Sequence, residues 1–186
     1  GTGIDKRPID DAVAVRPPGP MHNGLGSGLV GDTICNRTFH GGDDQAVYAY
    51  AREDLDHWQV ILGRDLLNGM FGENLTTSGL DVTNARIGEQ WAVGASGLRL
   101  EVSRPRIPCR TFAQWLAVRG WVKTFTAAAV PGAYLRVLDA GPGAFLSFAS
   151  GAAWWRVPGE TMVCDRRPGR KPTLGCRSST PCRRCA

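Results

Sequence analysis

The chain has 186 residues, 42% of them hydrophobic and 21% charged, with a formal net charge of +5. That length suits one ordinary domain with a real core and an appendage; the composition is that of a soluble globular protein, and no apolar run approaches the ~20 residues that cross a bilayer. The positive charge does not point to nucleic acid. Residues 151–186 hold eight of the 22 Lys/Arg and two of the 17 Asp/Glu, which leaves residues 1–150 with 14 basic against 15 acidic groups. A basic tail on a nearly neutral body says little about what the folded part binds.

Lys6-Arg7-Pro8, after Gly3, reads as a corner, either solvated or in contact with an anion. Ala12 to Val15 reads as a strand, and Pro17-Pro18-Gly19-Pro20 as a turn. The Gly-rich Gly24–Gly28 stretch is not followed by a helix, so it is a weak phosphate loop. Leu29 to Cys35 suggests a strand interrupted at Gly31-Asp32. His40-Gly41-Gly42-Asp43-Asp44 opens an expected helix, capped by Asp43 or Asp44. Val47, Ala51, Leu55, Trp58 and Leu62 lie on one face of it before Gly63 ends it. His40 precedes that helix beside two glycines that admit a backbone or a ligand closely; a satisfied loop histidine and a catalytic one both fit.

Phe71-Gly72-Glu73-Asn74-Leu75-Thr76-Thr77 concentrates short polar groups on one turn. Such a turn can bond its own backbone or the edge of a planar heterocycle. Strand patterns follow at Arg86 to Val93 and Leu98 to Ser103, short helices at Phe112 to Val118 and Trp121 to Ala129, and a strand at Ala133 to Leu138. Short strands, glycine turns and few helices suggest a mainly β, barrel-like domain.

Arg104-Pro105-Arg106-Ile107-Pro108-Cys109 leaves the strand at Leu98 to Ser103. Its two prolines hold the chain extended, so Cys109 sits at a stiffened strand exit with Arg104, Arg106 and Arg110 near it in sequence. Cationic neighbours favour the thiolate, the form that attacks or binds metal; an inert buried cysteine is the other reading. From about Gly141 the composition changes to Gly, Pro, Arg and Cys without a sustained period. Cys164, Cys176, Cys182 and Cys185 could make a zinc site, although only Cys182 and Cys185 have familiar spacing; an irregular, disordered tail is the other expectation. Two cysteines in the body and no basic-then-apolar leader suggest a reducing, cytoplasmic setting.

Together and in this order, His40-Gly41-Gly42, Phe71-Gly72-Glu73-Asn74-Leu75 and Pro105-Arg106-Ile107-Pro108-Cys109 resemble the MOSC domain, the C-terminal module of molybdenum cofactor sulfurases, in its bacterial stand-alone, YiiM-like branch. Gly3-Ile4-Asp5-Lys6-Arg7-Pro8 resembles that branch's early Lys-Pro segment. The likeness runs from about Gly3 to Leu138. It implies a MOSC-type barrel-like domain over residues 1–140 that binds molybdopterin-type cofactor, with an atypical tail over 141–186. Cys109 is then the molybdenum ligand and His40 a catalytic proton donor near the metal. Lys6, Arg7, Arg104 and Arg106 are candidates for the cofactor's phosphate, with Gly41, Gly42, Gly72, Asn74 and Thr76 toward the pterin. The implied reaction is two-electron reduction of an N-hydroxylated small molecule, such as an N-hydroxylaminopurine, fed by a separate electron-donating reductase. A non-catalytic carrier of molybdenum cofactor or of a persulfide on Cys109 is the alternative. The resemblance departs at both ends: the family's first strand normally precedes the Gly-Ile-Asp-Lys segment. After Leu138 no family-like strand is recognisable, as if the tail were read in a shifted frame.

Overall fold

The computed structural model describes residues 3–9, 11–94, 97–140, 145–146, 153–156 and 161–165. Strand β2 (Val47–Ala51) is its centre. It pairs in parallel with β3 (Leu75–Thr77) and antiparallel with β6 (Ala133–Asp139). Beyond β6 the sheet continues through β5 (Leu98–Pro105) and β4 (Gln90–Val93), both antiparallel to their neighbours. A short pair, β1 (Val13–Ala14) with β7 (Phe145–Leu146), stands apart. The result is a mostly β, curled half-barrel sheet with three helices, as the strand pattern leads one to expect.

All five residues of β2 are buried, and the pleat sends them to two different cores. Val47, Ala49 and Ala51 join the aliphatic interior with Leu100, Val102 and Leu135. Tyr48 and Tyr50 face a second, aromatic layer with Trp58, Phe71, Phe112, Trp121 and Phe125. Helices α1 (Arg52–Leu62), α2 (Arg110–Leu116) and α3 (Trp121–Ala128) supply that layer. Its rings meet edge-on, as in Phe71–Phe112 at 5.1 Å and Phe112–Trp121 at 5.5 Å, the arrangement that ring quadrupoles favour.

The helix expected from Asp43 is therefore three elements: a 3-10 turn over Asp43–Gln45, strand β2, and α1 from Arg52. A strand buried on both faces shows an unbroken apolar run, and helical spacing fits such a run by accident. The stop signal holds: Gly63, at φ 62°, caps α1 with its N–H on Gln59 O. The strand expected over Leu29 to Cys35 reduces to one bridge, Val15 with Leu29. Ser27 Oγ donates to Asp32 Oδ2 at 2.7 Å and accepts from Leu29 N, which folds the segment back on itself. The strand expected from Arg86 starts only at Gln90, because a turn closes first from Glu89 N to Arg86 O. Gly132 enters β6 at φ 65°, where a Cβ would lie 2.6 Å from Ala49 O, so only glycine brings β6 this close to β2.

The tail, expected to be irregular, contributes β8 (Ala153–Arg156) and β9 (Thr161–Asp165). These pair antiparallel with each other, and β9 runs parallel to β4. The backbone of Cys164 lies in β9; Cys176, Cys182 and Cys185, and with them the zinc alternative, fall outside the described residues. Among the described residues no helix is long and apolar enough to cross a membrane.

Candidate functional site

Where β5 ends, the chain turns through Arg106, Ile107 and Pro108 and enters α2. Cys109 is the residue before that helix, extended at φ −117° and ψ 170°. Its sulfur lines a cavity of about 260 Å³. Three side chains the sequence singled out meet there. His40 hydrogen-bonds the Cys109 sulfur, the Phe112 N–H points to it, and the Arg106 guanidinium lies near. Half-burial raises the thiol, but these three together outweigh it and bring Cys109 down to about 7. About half of the sulfur is then thiolate at neutral pH.

Arg106 is only 8% exposed. Its guanidinium lies 4.0 Å from the Phe112 ring centroid and 4.7 Å from that of Tyr48, and Nη1 donates to Phe71 O. Among the described residues no carboxylate forms an ion pair with it. A buried cation without a counter-ion is costly, and the Cys109 thiolate is the anion placed to offset it.

The Phe-Gly-Glu-Asn turn holds Arg106 in turn. Glu73 is 2% exposed and accepts three hydrogen bonds, from Gly69 N at 2.5 Å, Phe71 N at 3.0 Å and Thr76 Oγ1 at 3.0 Å. Burial raises its carboxyl above the ordinary range in spite of those donors. Gly72 lines the cavity at φ 78° and lies against Ile4, 2.8 Å from where a Cβ would stand. Asn74 also lines it, but its amide is committed to the protein: Oδ1 accepts from Tyr48 N at 3.0 Å and Nδ2 donates to Asp32 Oδ2 at 3.0 Å.

Opposite, Lys6 pairs with Asp32 at the cavity wall. Gly41 and Gly42 approach backbone rather than open space: their Cβ atoms would lie 2.7 Å from Gly26 O and 2.6 Å from Met21 N. Gly41 lines the cavity and Gly42 stands behind it. Thr76, Arg7 and Arg104 lie outside the cavity wall. Thr76 is bound to Glu73 from β3, and Arg7 is 82% exposed with its guanidinium 3.4 Å from Asp5. The sequence reading passed over Gln45, Tyr48, Tyr134 and Cys35, all of which line the cavity, and Asp32, which bonds the wall residues Lys6, Ser27 and Asn74. Nothing near Tyr48 in sequence marks a site: β2, β6 and the 27–45 loops come together only in the fold.

The family model for the MOSC domain matches residues 36–143 of the chain. The chain belongs to the MOSC domain family. This MOSC domain is 36% identical to the uncharacterized protein YflK of Bacillus subtilis over 152 residues, 80% of the chain and 64% of YflK. It is 35% identical to the protein YiiM of Escherichia coli over 85 residues, 44% of the chain and 37% of YiiM. Among solved structures, YiiM from Geobacillus stearothermophilus superposes with a TM-score of 0.57 at 28% identity, covering 80% of this chain and 67% of that one. The chain thus spans less than two thirds of the length of the curated relatives it matches.

Proposed function

We propose that this MOSC domain holds a molybdenum–pterin cofactor through Cys109 and reduces N-hydroxylated compounds. The observation that carries the reading is one sulfur facing a cavity, with His40, the Phe112 N–H and Arg106 all favouring its anion. MOSC domains are associated with this cofactor as a family, and a thiolate is a soft donor for a metal already held through sulfur. The donor set fits. Cys109 supplies the protein ligand, and the carboxylate-free Arg106 supplies positive charge for an anionic group. Lys6 is the second cation on the wall, shared with Asp32; Arg7 and Arg104 have no place in this set.

When bound, the cofactor supplies the two-electron chemistry, replenished by a separate reductase in a reducing, cytoplasmic setting. The chain's residues do the rest. His40 holds the sulfur in its reactive orientation and keeps a proton beside the reacting centre. Tyr48, Tyr134 and Ile4 wall the cavity and limit water around the redox step. Removing oxygen from an N–OH group takes two electrons and two protons and yields amine and water.

The test is turnover of N-hydroxylaminopurine by molybdenum-loaded protein with an artificial electron donor. Reduction to the amine is expected, falling by more than about 100-fold in Cys109→Ser, since even groups that only orient a metal ligand cost 10–100-fold. Transfer of cofactor to an apo-enzyme with no reduction would instead establish the carrier role and overturn this reading.

A further inference from the structure

The chain has three tyrosines, and all three stand in the aromatic layer beside the cavity. Two have committed phenols. Tyr48 donates to Pro131 O at 2.8 Å. Tyr50 donates to Val130 O at 2.8 Å and accepts from Trp58 Nε1 at 3.0 Å. Tyr134 differs. It is fixed in β6 directly opposite Tyr48, its ring 5.0 Å from the Tyr48 ring, and it lines the cavity with Cys109, Arg106 and His40. Outside the β ladder, its one hydrogen bond among the described residues is to its backbone carbonyl, from Ser103 Oγ at 3.0 Å.

Three other donors on the wall are engaged by the protein. Ser27 Oγ is on Asp32, the Asn74 amide is on Asp32 and Tyr48, and His40 is on Cys109. Thr111 lies on the exposed rim, where water serves it. The Tyr134 phenol makes no such contact among the described residues, and it lies close enough to Cys109 and Arg106 to feel both charges. A half-buried hydroxyl that the protein leaves without a partner is satisfied by whatever fills the cavity.

We propose that the Tyr134 hydroxyl recognises the N–O oxygen of the substrate, donating a hydrogen bond to it and selecting N-hydroxylated compounds over their parent amines. This rests on the reading above that such compounds bind in this cavity. The parent amine has no oxygen to accept the bond and leaves the phenol unpaired, which is how a polar site rejects a ligand that lacks one group.

The experiment is calorimetric binding of N-hydroxylaminopurine and of adenine to the molybdenum-loaded protein, to Tyr134→Phe and to Tyr50→Phe. The parent is expected to prefer the hydroxylated compound about tenfold, the worth of one well-made hydrogen bond. Tyr134→Phe keeps the ring on Tyr48 and binds both compounds alike, with adenine bound at least as tightly as by the parent because no phenol is left unpaired. Tyr50→Phe loses stability but keeps the preference. A preference that survives in Tyr134→Phe, or no preference in a parent that binds both compounds, overturns the inference alone. A parent that binds neither overturns the functional reading with it.

Discussion

In protein purified without cofactor, Cys109 is expected to titrate with a midpoint at about pH 7, followed by thiolate absorbance or by pH-dependent alkylation in a background where the other five cysteines, Cys35, Cys164, Cys176, Cys182 and Cys185, are replaced by Ser. The sign follows from the balance at the sulfur. Burial favours the neutral thiol, while the His40 hydrogen bond, the Phe112 N–H and the nearby Arg106 guanidinium favour the anion more strongly. In His40→Ala the midpoint moves up toward the ordinary ~8.5, and the thiolate share at pH 7 falls from about half to about 3%. The more basic thiolate is a better nucleophile and recovers part of the rate, so the midpoint is the deciding quantity. Metal binding displaces the thiol proton, so cofactor affinity weakens as pH falls below about 7. A midpoint of 8.5 or above in the parent would show that the His40 and Arg106 contacts do not set this sulfur's chemistry.

Glu73→Ala is expected to destabilise the fold by about 3–5 kcal/mol in urea unfolding. Three donors, Gly69 N, Phe71 N and the part-buried Thr76 Oγ1, lose a buried acceptor, at ~1–3 kcal/mol for each of the two buried N–H groups left unmade and less for Thr76. The loss does not stop at the turn, because Phe71 O is what Arg106 holds. The carboxyl also gives a pH signature. Its folded value is raised above its unfolded one, so its contribution to stability is full below the unfolded value, ~4.3, and is lost as pH rises through the folded value. Glu73→Gln removes that slope. A stability profile with the same slope in parent and Glu73→Gln would show that the buried carboxyl is not the group responsible.

What the sequence made legible follows how locally each feature is encoded. Strand β5 alternates inside and out and runs into the Arg-Pro-Arg-Ile-Pro frame as far as Pro105, two residues beyond the expected end at Ser103; this alternation, with Gly63 and Gly132 marking positive-φ positions, can be read from a few neighbouring residues. Val47–Ala51 could not be read that way, because burial on both faces erases the alternation that distinguishes a strand from a helix. Leu29 to Cys35 looked like a strand because the Ser27–Asp32 side-chain contact that folds it back has no apolar signature. The same division runs through the site. Cys109, His40 and Arg106 sit in dense motifs and converge on one cavity. Tyr134 and Gln45 come from an ordinary strand and a 3-10 turn, and only the fold carries them to that wall. Arg7, Arg104 and Thr76 shared the right composition with their neighbours, but Arg7 points to solvent, Arg104 stays outside the wall, and Thr76 turns to Glu73. Charge and short side chains in a motif identify a neighbourhood; strand parity and turn geometry decide which members face the cavity.

The most direct test of the account is molybdenum and pterin content per chain in purified parent and Cys109→Ser protein, produced side by side with molybdate in the medium. The account predicts molybdenum near one per chain in the parent and its loss in Cys109→Ser, with the urea midpoints of the two apo-proteins unchanged. Equal molybdenum in both proteins would contradict it and remove Cys109 from the metal.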